Sequence, residues 1–389
     1  MNWLCSQFGA REKYAIPRAL HREGMLTELC TDLWVKPGSL LRFVNGRAAG
    51  RYHPDLAQAK VRNFNFMSLY WNVMTRVSPG FQIDTRYDKR LSRYIPRQRK
   101  KADIFFGYSY SSRRCMKIAK ANGFSTVLGQ INPGPREAAI VIEEYKNYKN
   151  GSFKPFVPDE RYWDLWREEA QHADRIIVNS EWSKRLLMQD GIEESKLVEI
   201  PLCFEEPVSL VNRIYPSTFT KNQPLRLLYL GGIELRKGFH ILKRAMRKLT
   251  NLPVVLDVVG GLKSPDAVLA DLPPNIIYHK SVAPRQVSGY YKNADVFIFP
   301  TLSDGFGLTL LEAQAHKLPV ICSTFCARVI TNDVNGIVLP EVTSASIVDS
   351  VTRILDQPAL LEKYTRQSVN MENYSMAALA KALNNIKFK

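Results

Sequence analysis

The sequence predicts an α/β protein made of two doubly wound, Rossmann-like domains. Three features carry this expectation. The chain has 389 residues, too many for one ordinary core and suited to two domains of roughly 150 to 200 residues each. Short apolar runs alternate with amphipathic stretches, the βαβα pattern of a parallel sheet covered by helices. That pattern weakens once, between Cys203 and Pro224, and then restarts. Residues 1–204 are therefore assigned to a first domain and residues 205–373 to a second.

In the first half, strands are expected near Trp3 to Ser6, Asp103 to Gly107, Thr126 to Gln130, Arg175 to Asn179 and Leu197 to Pro201, with helices between them. One helix begins near Arg11, carries Ala15 and Leu20 and stops at Gly24, and another runs from Arg161 to His172. The break contains Glu205-Glu206-Pro207, Tyr215-Pro216-Ser217-Thr218 and Asn222-Gln223-Pro224, turn-forming chemistry that suits an interdomain connection. Beyond it come strands at Leu225 to Leu230, Val254 to Val259, Ile276 to His279, Asp295 to Pro300, Pro319 to Ser323 and Gly336 to Leu339. Helices are expected at Phe239 to Leu249 and Pro284 to Tyr291. No repeat or low-complexity segment interrupts the second half, so it reads as a second doubly wound domain.

Composition narrows the function classes. Hydrophobic residues at 45% and aromatics at 11% are those of a globular protein. No stretch approaches the roughly 20 apolar residues of a membrane-spanning helix. The apolar run Met1 to Phe8 is too short for a signal-peptide core and is followed by Arg11-Glu12-Lys13, so a cytoplasmic location is expected. The six cysteines are scattered without a C-x-x-C pair and read as buried thiols; the Cys322 to Cys326 spacing is read as accidental. The net charge of +17 is uneven: residues 1–130 hold 23 Lys/Arg against 8 Asp/Glu, residues 131–389 hold 31 against 29. Between Arg86 and Arg114, cations such as Arg93, Arg97, Lys100 and Arg113 mix with Tyr87, Tyr94, Phe105 and Phe106. This segment suits an anionic membrane surface, an anionic acceptor or nucleic acid, or is simply a solvated basic face. Nucleic acid ranks last among these partners, because no helix-turn-helix, zinc or RNA-binding motif accompanies the charge.

Two segments carry the chemistry. The strand at Asp295 to Pro300 leads through Thr301 to Gly307 into a helix bearing Leu308, Leu311 and Ala315. Gly305 and Gly307 permit close backbone approach, and the unsatisfied amides of a helix N-terminus attract phosphate or sugar hydroxyls. Two glycines in a loop are common, so this pattern alone is weak. Glu312 strengthens it by sharing the stripe that should pack inward, where a carboxylate needs partners such as ribose hydroxyls or backbone amides; a half-exposed Glu at the stripe's edge is the plainer alternative. Asp304, just ahead of the helix, would also serve as an N-cap. The second segment is Leu228 to Gly238, again strand, glycine turn and helix, with Arg236 and Lys237 adjacent. A planar guanidinium beside a point-charge ammonium suits a diphosphate, although an Arg-Lys pair in a solvent-facing loop is commoner.

The run Asp304 to Ala315, closed by Leu318-Pro319-Val320-Ile321, resembles the E-x7-E donor motif of family-4 (group 1) retaining glycosyltransferases of the GT-B fold. The Gly231 to Gly238 run resembles that family's glycine and lysine segment, Asn293-Ala294-Asp295 its x-A-D element, and Ala173 to Ser180 the end of its N-terminal domain. The resemblance covers residues 173–340 well and the first 130 only by pattern. It implies two domains facing across a cleft, a nucleotide sugar (UDP- or GDP-linked) on the C-terminal domain, and a glycan, lipid-linked or surface-polysaccharide acceptor on the N-terminal one. It also implies a retaining, metal-independent hexosyl transfer with no cofactor besides the donor. By position, Glu312 would bind the donor ribose and Asp304 the transferred sugar, while the amides of Gly305, Phe306, Gly307 and Leu308 would line sugar and phosphate. Lys237, with Arg236, would meet the diphosphate; Asp304, Glu312 and Lys237 form the expected catalytic set. Lys280, Ser281 and Val282 would meet the base, Gly232 would sit in the glycine turn, and Gly9 would border the diphosphate or acceptor. The final helix, Met376 to Ile386, would pack back on the first domain.

There are departures. Asp304 stands where the family has Glu, one methylene shorter; Gly232 stands where Arg is usual; and Gln130-Ile131-Asn132-Pro133-Gly134 follows a strand where many members place a His. No histidine is assigned to chemistry. These departures keep open a noncatalytic protein that binds a nucleotide sugar and supports a partner transferase. The basic first domain adds an expectation of peripheral attachment at the inner membrane face.

Overall fold

The structure is a computed structural model describing residues 1–39, 48, 50–77, 82–148, 157–205, 212–263 and 268–388. The first domain runs β1 (Trp3–Gln7), α1 (Ala15–Arg22), β2 (Leu26–Thr31), β3 (Val61–Asn63), α2 (Asn65–Val77), α3 (Ile83–Ser92), β4 (Ile104–Tyr108), α4 (Arg113–Ala121), β5 (Ser125–Gly129), α5 (Pro135–Asn147), α6 (Glu160–Gln171), β6 (Arg175–Val178), α7 (Glu181–Gln189) and β7 (Leu197–Glu199). Its seven parallel strands lie in the order β3-β2-β1-β4-β5-β6-β7. The second domain runs β8 (Leu225–Leu230), α8 (Phe239–Lys248), β9 (Val254–Val259), β10 (Ile276–Tyr278), α9 (Pro284–Asn293), β11 (Val296–Phe299), α10 (Leu308–Ala315), β12 (Val320–Cys322), β13 (Gly336–Val338), α11 (Ser344–Asp356) and α12 (Ala359–Arg366), before α13 (Met376–Asn384) ends the chain's secondary structure. Its six strands are ordered β10-β9-β8-β11-β12-β13. In both sheets the strand order reverses beside the first strand, which opens a crevice at the carboxyl ends of the strands.

Strand residues alternate between faces, and both faces are covered, so the central strands are apolar throughout. Trp3 and Ile104 enter the core under α1, whereas their neighbours Leu4 and Phe105 enter the core under α4 and α6. In the second sheet Leu227 and Ile298 face one core and Leu228 and Phe297 the other. The helix α13 is capped by Ser375, whose hydroxyl accepts from the Ala378 amide at 3.2 Å, and buries Met376, Leu379 and Leu383 in the first domain's core. Where the chain crosses between domains, the Phe204 amide donates to the Tyr374 carbonyl at 2.8 Å.

Two expectations change. The helix expected from Arg11 starts at Ala15, because Glu12, Lys13 and Tyr14 have φ of 51°, 50° and 61°, a left-handed run that no α-helix accommodates. β2 and β3 had no counterpart among the expected strands. The connection is anchored: Arg213 donates to the carbonyls of His316, Ala294 and Tyr291. Glu206 and Pro207 lie outside the described residues. Among the described residues no helix is long and apolar enough to cross a membrane.

Candidate active site

The site begins where β11 feeds the loop Thr301 to Gly307. Gly307, at φ +88°, precedes α10 in a conformation a side chain would strain. Asp304 sits in this loop with its amide donating to the Phe325 carbonyl at 2.8 Å and its Oδ1 accepting from the Phe306 amide at 3.1 Å. It does not cap α10, since Gly307 holds that position; the carboxylate instead contacts the Lys237 ammonium directly. Of the four amides expected to face a ligand, that of Phe306 is thus already engaged.

Lys237 reaches Asp304 because two strand-to-helix turns pack together. A Cβ on Gly238 would lie 1.9 Å from the Pro300 carbonyl oxygen, so only glycine lets the β8–α8 turn approach the β11 loop this closely. The contact is tied by Leu302 N to Arg236 O at 2.8 Å and by Arg236 Nη1 to Ser303 O at 2.7 Å. The Lys237 ammonium lies 5.0 Å above the Phe299 ring. Burial and the neighbouring Arg236 guanidinium pull its pKa down to about 7, while the contact with Asp304 favours the charged form.

Glu312 faces a different part of the site. Its Oε2 accepts from the Tyr291 hydroxyl at 2.7 Å, and the Tyr291 ring stacks on His316 at 4.9 Å. His316, whose pKa burial lowers, has Nδ1 2.8 Å from the Glu312 carbonyl and Nε2 2.9 Å from the Ser288 hydroxyl, so the α10 carboxylate is held from behind by an aromatic pair. Glu312 and Leu308 line a cavity of about 470 Å³ between the domains, whose opposite wall holds Glu12, Lys13, Arg18 and His53. Lys237, Arg236 and Asp304 are not in its lining; the loop Asp304 to Leu308 joins their cluster to it. Burial raises the Glu12 carboxyl pKa, and the Tyr108 hydroxyl donates to it at 3.2 Å.

The remaining expected residues frame this pair of clusters less directly. Gly9 has φ +85° and donates its amide to Asp32 Oδ1 at 2.8 Å, beside Arg51. The Gly232 carbonyl accepts from the Tyr229 hydroxyl at 2.9 Å. The Lys280 carbonyl accepts from the Gly260 amide at 2.8 Å, Ser281 borders Gly261, and Val282 packs on the core beneath.

The sequence reasoning missed the first domain's hold on the loop. The Ser180 and Ser183 hydroxyls donate to the Gly305 carbonyl at 2.6 and 3.1 Å. Trp182 Nε1 donates to Ser303 Oγ at 2.9 Å, and Ser303 in turn donates to Glu137 at 2.9 Å. Glu144 lies 2.6 Å from His240 of the second domain. The one available signal was the Ser180-x-x-Ser183 helix start, which reads as an ordinary cap and indeed makes one.

Residues 224–357 match the family model described as Glycosyl transferases group 1. Sucrose-phosphate synthase from Thermosynechococcus elongatus superposes over 99% of this chain and 98% of its own with a TM-score of 0.64 at 14% identity. The apo lipopolysaccharide outer core galactosyltransferase WaaB superposes over 99% and 98% with 0.62, also at 14% identity. The chain has the GT-B fold, and the segment that matches the group 1 glycosyltransferase model lies in its second domain. An uncharacterized 41.2 kDa protein in the cps region of Klebsiella pneumoniae is 21% identical over 60% of this chain and 64% of its own. An uncharacterized glycosyltransferase of Methanocaldococcus jannaschii is 28% identical over 54% and 55%. The capsular polysaccharide biosynthesis glycosyltransferase CapM of Staphylococcus aureus is 26% identical over 34% and 37%. The matches thus span between about a third and just under two thirds of these relatives' own length. The matched segment contains Lys237, Asp304 and Glu312, and the first domain supplies the facing wall of the cavity at Glu312.

Proposed function

We propose that the protein transfers a hexosyl group from a UDP- or GDP-linked nucleotide sugar to a glycan or lipid-linked acceptor in surface-polysaccharide synthesis, with retention and without a metal ion or further cofactor. The observation that carries this reading is the convergence of Lys237, Arg236 and the α10 N-terminus on one loop, with Glu312 one turn further along the helix. The names of CapM and of the WaaB galactosyltransferase support a polysaccharide or lipopolysaccharide setting. A solved GT-B structure, HepE of Anabaena, contains UDP and glucose at a TM-score of 0.62 and 11% identity.

In this reading the departing diphosphate receives the Lys237 and Arg236 charges and the α10 dipole, which stabilise negative charge as the anomeric bond lengthens. Asp304 surrenders Lys237 to the phosphate and turns to a hydroxyl of the transferred sugar. Glu312, steadied by Tyr291, accepts from the ribose hydroxyls. The base lies toward Lys280 to Val282, with Gly232 and Gly9 bordering the diphosphate. The acceptor hydroxyl attacks from the leaving-group face, and its proton goes to a departing phosphate oxygen.

The test is release of free nucleoside diphosphate from a panel of UDP- and GDP-sugars by the purified protein, with and without polyprenyl-phosphate and oligosaccharide acceptors. Turnover is expected to fall about a hundred-fold or more in Lys237→Ala. Calorimetric binding with no turnover across the panel would instead favour a noncatalytic partner, and turnover at the wild-type rate in Lys237→Ala would remove the assignment of the site.

A further inference from the structure

We propose that α2 and α3 of the first domain form a docking face for an anionic lipid surface. On α2, Phe66 is 90% exposed, Tyr70 56% and Met67 37%. Positions 66, 70 and 74 follow one another at four-residue spacing and form a single ridge. Trp71, about a quarter turn round the helix from Tyr70, is buried in the core at the base of the same groove and holds α2 in place beneath the ridge. On α3, Arg86, Lys89, Arg90 and Arg93 stand at i, i+3, i+4 and i+7, one face of a helix whose other face buries Tyr87 and Leu91. These four cations line one groove with Met67, Tyr70 and Met74, and among the described residues no carboxylate lines it.

An exposed apolar ridge rimmed by charge marks an interaction surface. Its chemistry, bulky apolar side chains beside a row of cations, is that of a helix lying in a bilayer interface with its basic residues among anionic headgroups. A second copy of this chain would set the same four cations against each other in a two-fold contact, and nucleic acid would leave the methionines without a partner. The sequence placed the basic segment between Arg86 and Arg114, but two of its later members serve elsewhere: Arg99 lies over the Phe124 ring and Arg113 pairs with Glu168. The apolar half of the face comes from α2, which precedes that segment. The first turn of α3, at Asp84 and Thr85, borders a recess of about 310 Å³ that also holds Tyr110. The Tyr110 hydroxyl donates to Asn132 Oδ1 at 2.8 Å, and Asn132 lies between Ile131 and Pro133, the residues that approach Gly305. A continuous path of contacts therefore links this face to the loop at Gly305.

The test is sedimentation of the full chain with vesicles of phosphatidylcholine alone or with phosphatidylglycerol, at low and high salt. Binding is expected with phosphatidylglycerol, weakening as salt rises. It should drop about ten-fold or more in Phe66→Ser/Tyr70→Ser, from the lost apolar burial, and likewise in Arg90→Glu/Arg93→Glu, with unchanged melting temperatures. No binding to phosphatidylglycerol at low salt, or variants that bind as wild type, would overturn the proposal; so would a dimer that Phe66→Ser/Tyr70→Ser disperses, or a nucleic-acid affinity lost in the same variants. Nucleoside diphosphate binding, measured on the same preparations, keeps this proposal separate from the donor site: lipid binding without nucleotide binding supports the docking face and refutes the transferase reading alone.

Discussion

At the level of single residues the site turns on how Lys237 and Glu312 are held. Lys237 is pulled down to about 7 by burial and by Arg236. A bound diphosphate favours the ammonium form, so the pKa rises in the complex and binding above pH 7 takes up a proton. Diphosphate affinity should accordingly fall as pH increases from 7 toward the pKa of the complex; calorimetry in buffers of different ionisation enthalpy would read the proton uptake, and a pH-independent affinity would contradict it. Asp304→Asn removes the carboxylate that competes for Lys237, so it should bind nucleoside diphosphate at least as tightly as wild type while losing sugar transfer. Glu312 was legible in the sequence because it is a carboxylate on an apolar stripe. Its supports were not: Tyr291 reads as an ordinary core aromatic and His316 as an ordinary helix-end residue. Only the tertiary fold stacks them at 4.9 Å behind the carboxylate. Asp304 read as a cap by position, and the structure turns it to a cation instead.

At the level of elements, the central strands were readable because strands buried on both faces are apolar runs, and β8, β9 and β11 lie where those runs fall. The two strands that escaped, β2 and β3, lack that signature. β2 carries Glu28, buried at 1% exposure and satisfied by the Tyr94 hydroxyl at 2.7 Å with Lys60 and Arg62 nearby. β3 is a three-residue edge strand, Val-Arg-Asn, visible only through its pairing with β2. The turn joining β8 to α8 depends on one residue. Gly238→Ala would bring a Cβ within 1.9 Å of the Pro300 carbonyl oxygen at φ +72°, and is expected to destabilise the protein by about 2 to 4 kcal/mol. Thermal or urea unfolding would show it, and a variant as stable as wild type would mean the two turns do not pack as described.

Across the whole molecule, the last helix and the loop between β11 and α10 bind the two domains together. α13 follows the second domain in sequence but completes the first domain's core with Met376, Leu379, Leu383 and Ile386. A chain ending at Ser375 should melt at a distinctly lower temperature, with hydrogen exchange rising first in α1, the helix that packs against α13. Trp182 and Ser180 hold the loop that carries Asp304, so domain contact and the geometry of that loop are set together. The interdomain cavity at Glu312 is where the central claim is most exposed. The decisive measurement is a calorimetric titration of the nucleoside diphosphate released in the turnover assay into the wild-type protein and into Glu312→Ala. Binding to wild type with about ten- to a hundred-fold loss in the variant, from the missing charge-assisted hydrogen bonds to ribose, is the predicted result; equal affinity for the two proteins would contradict it.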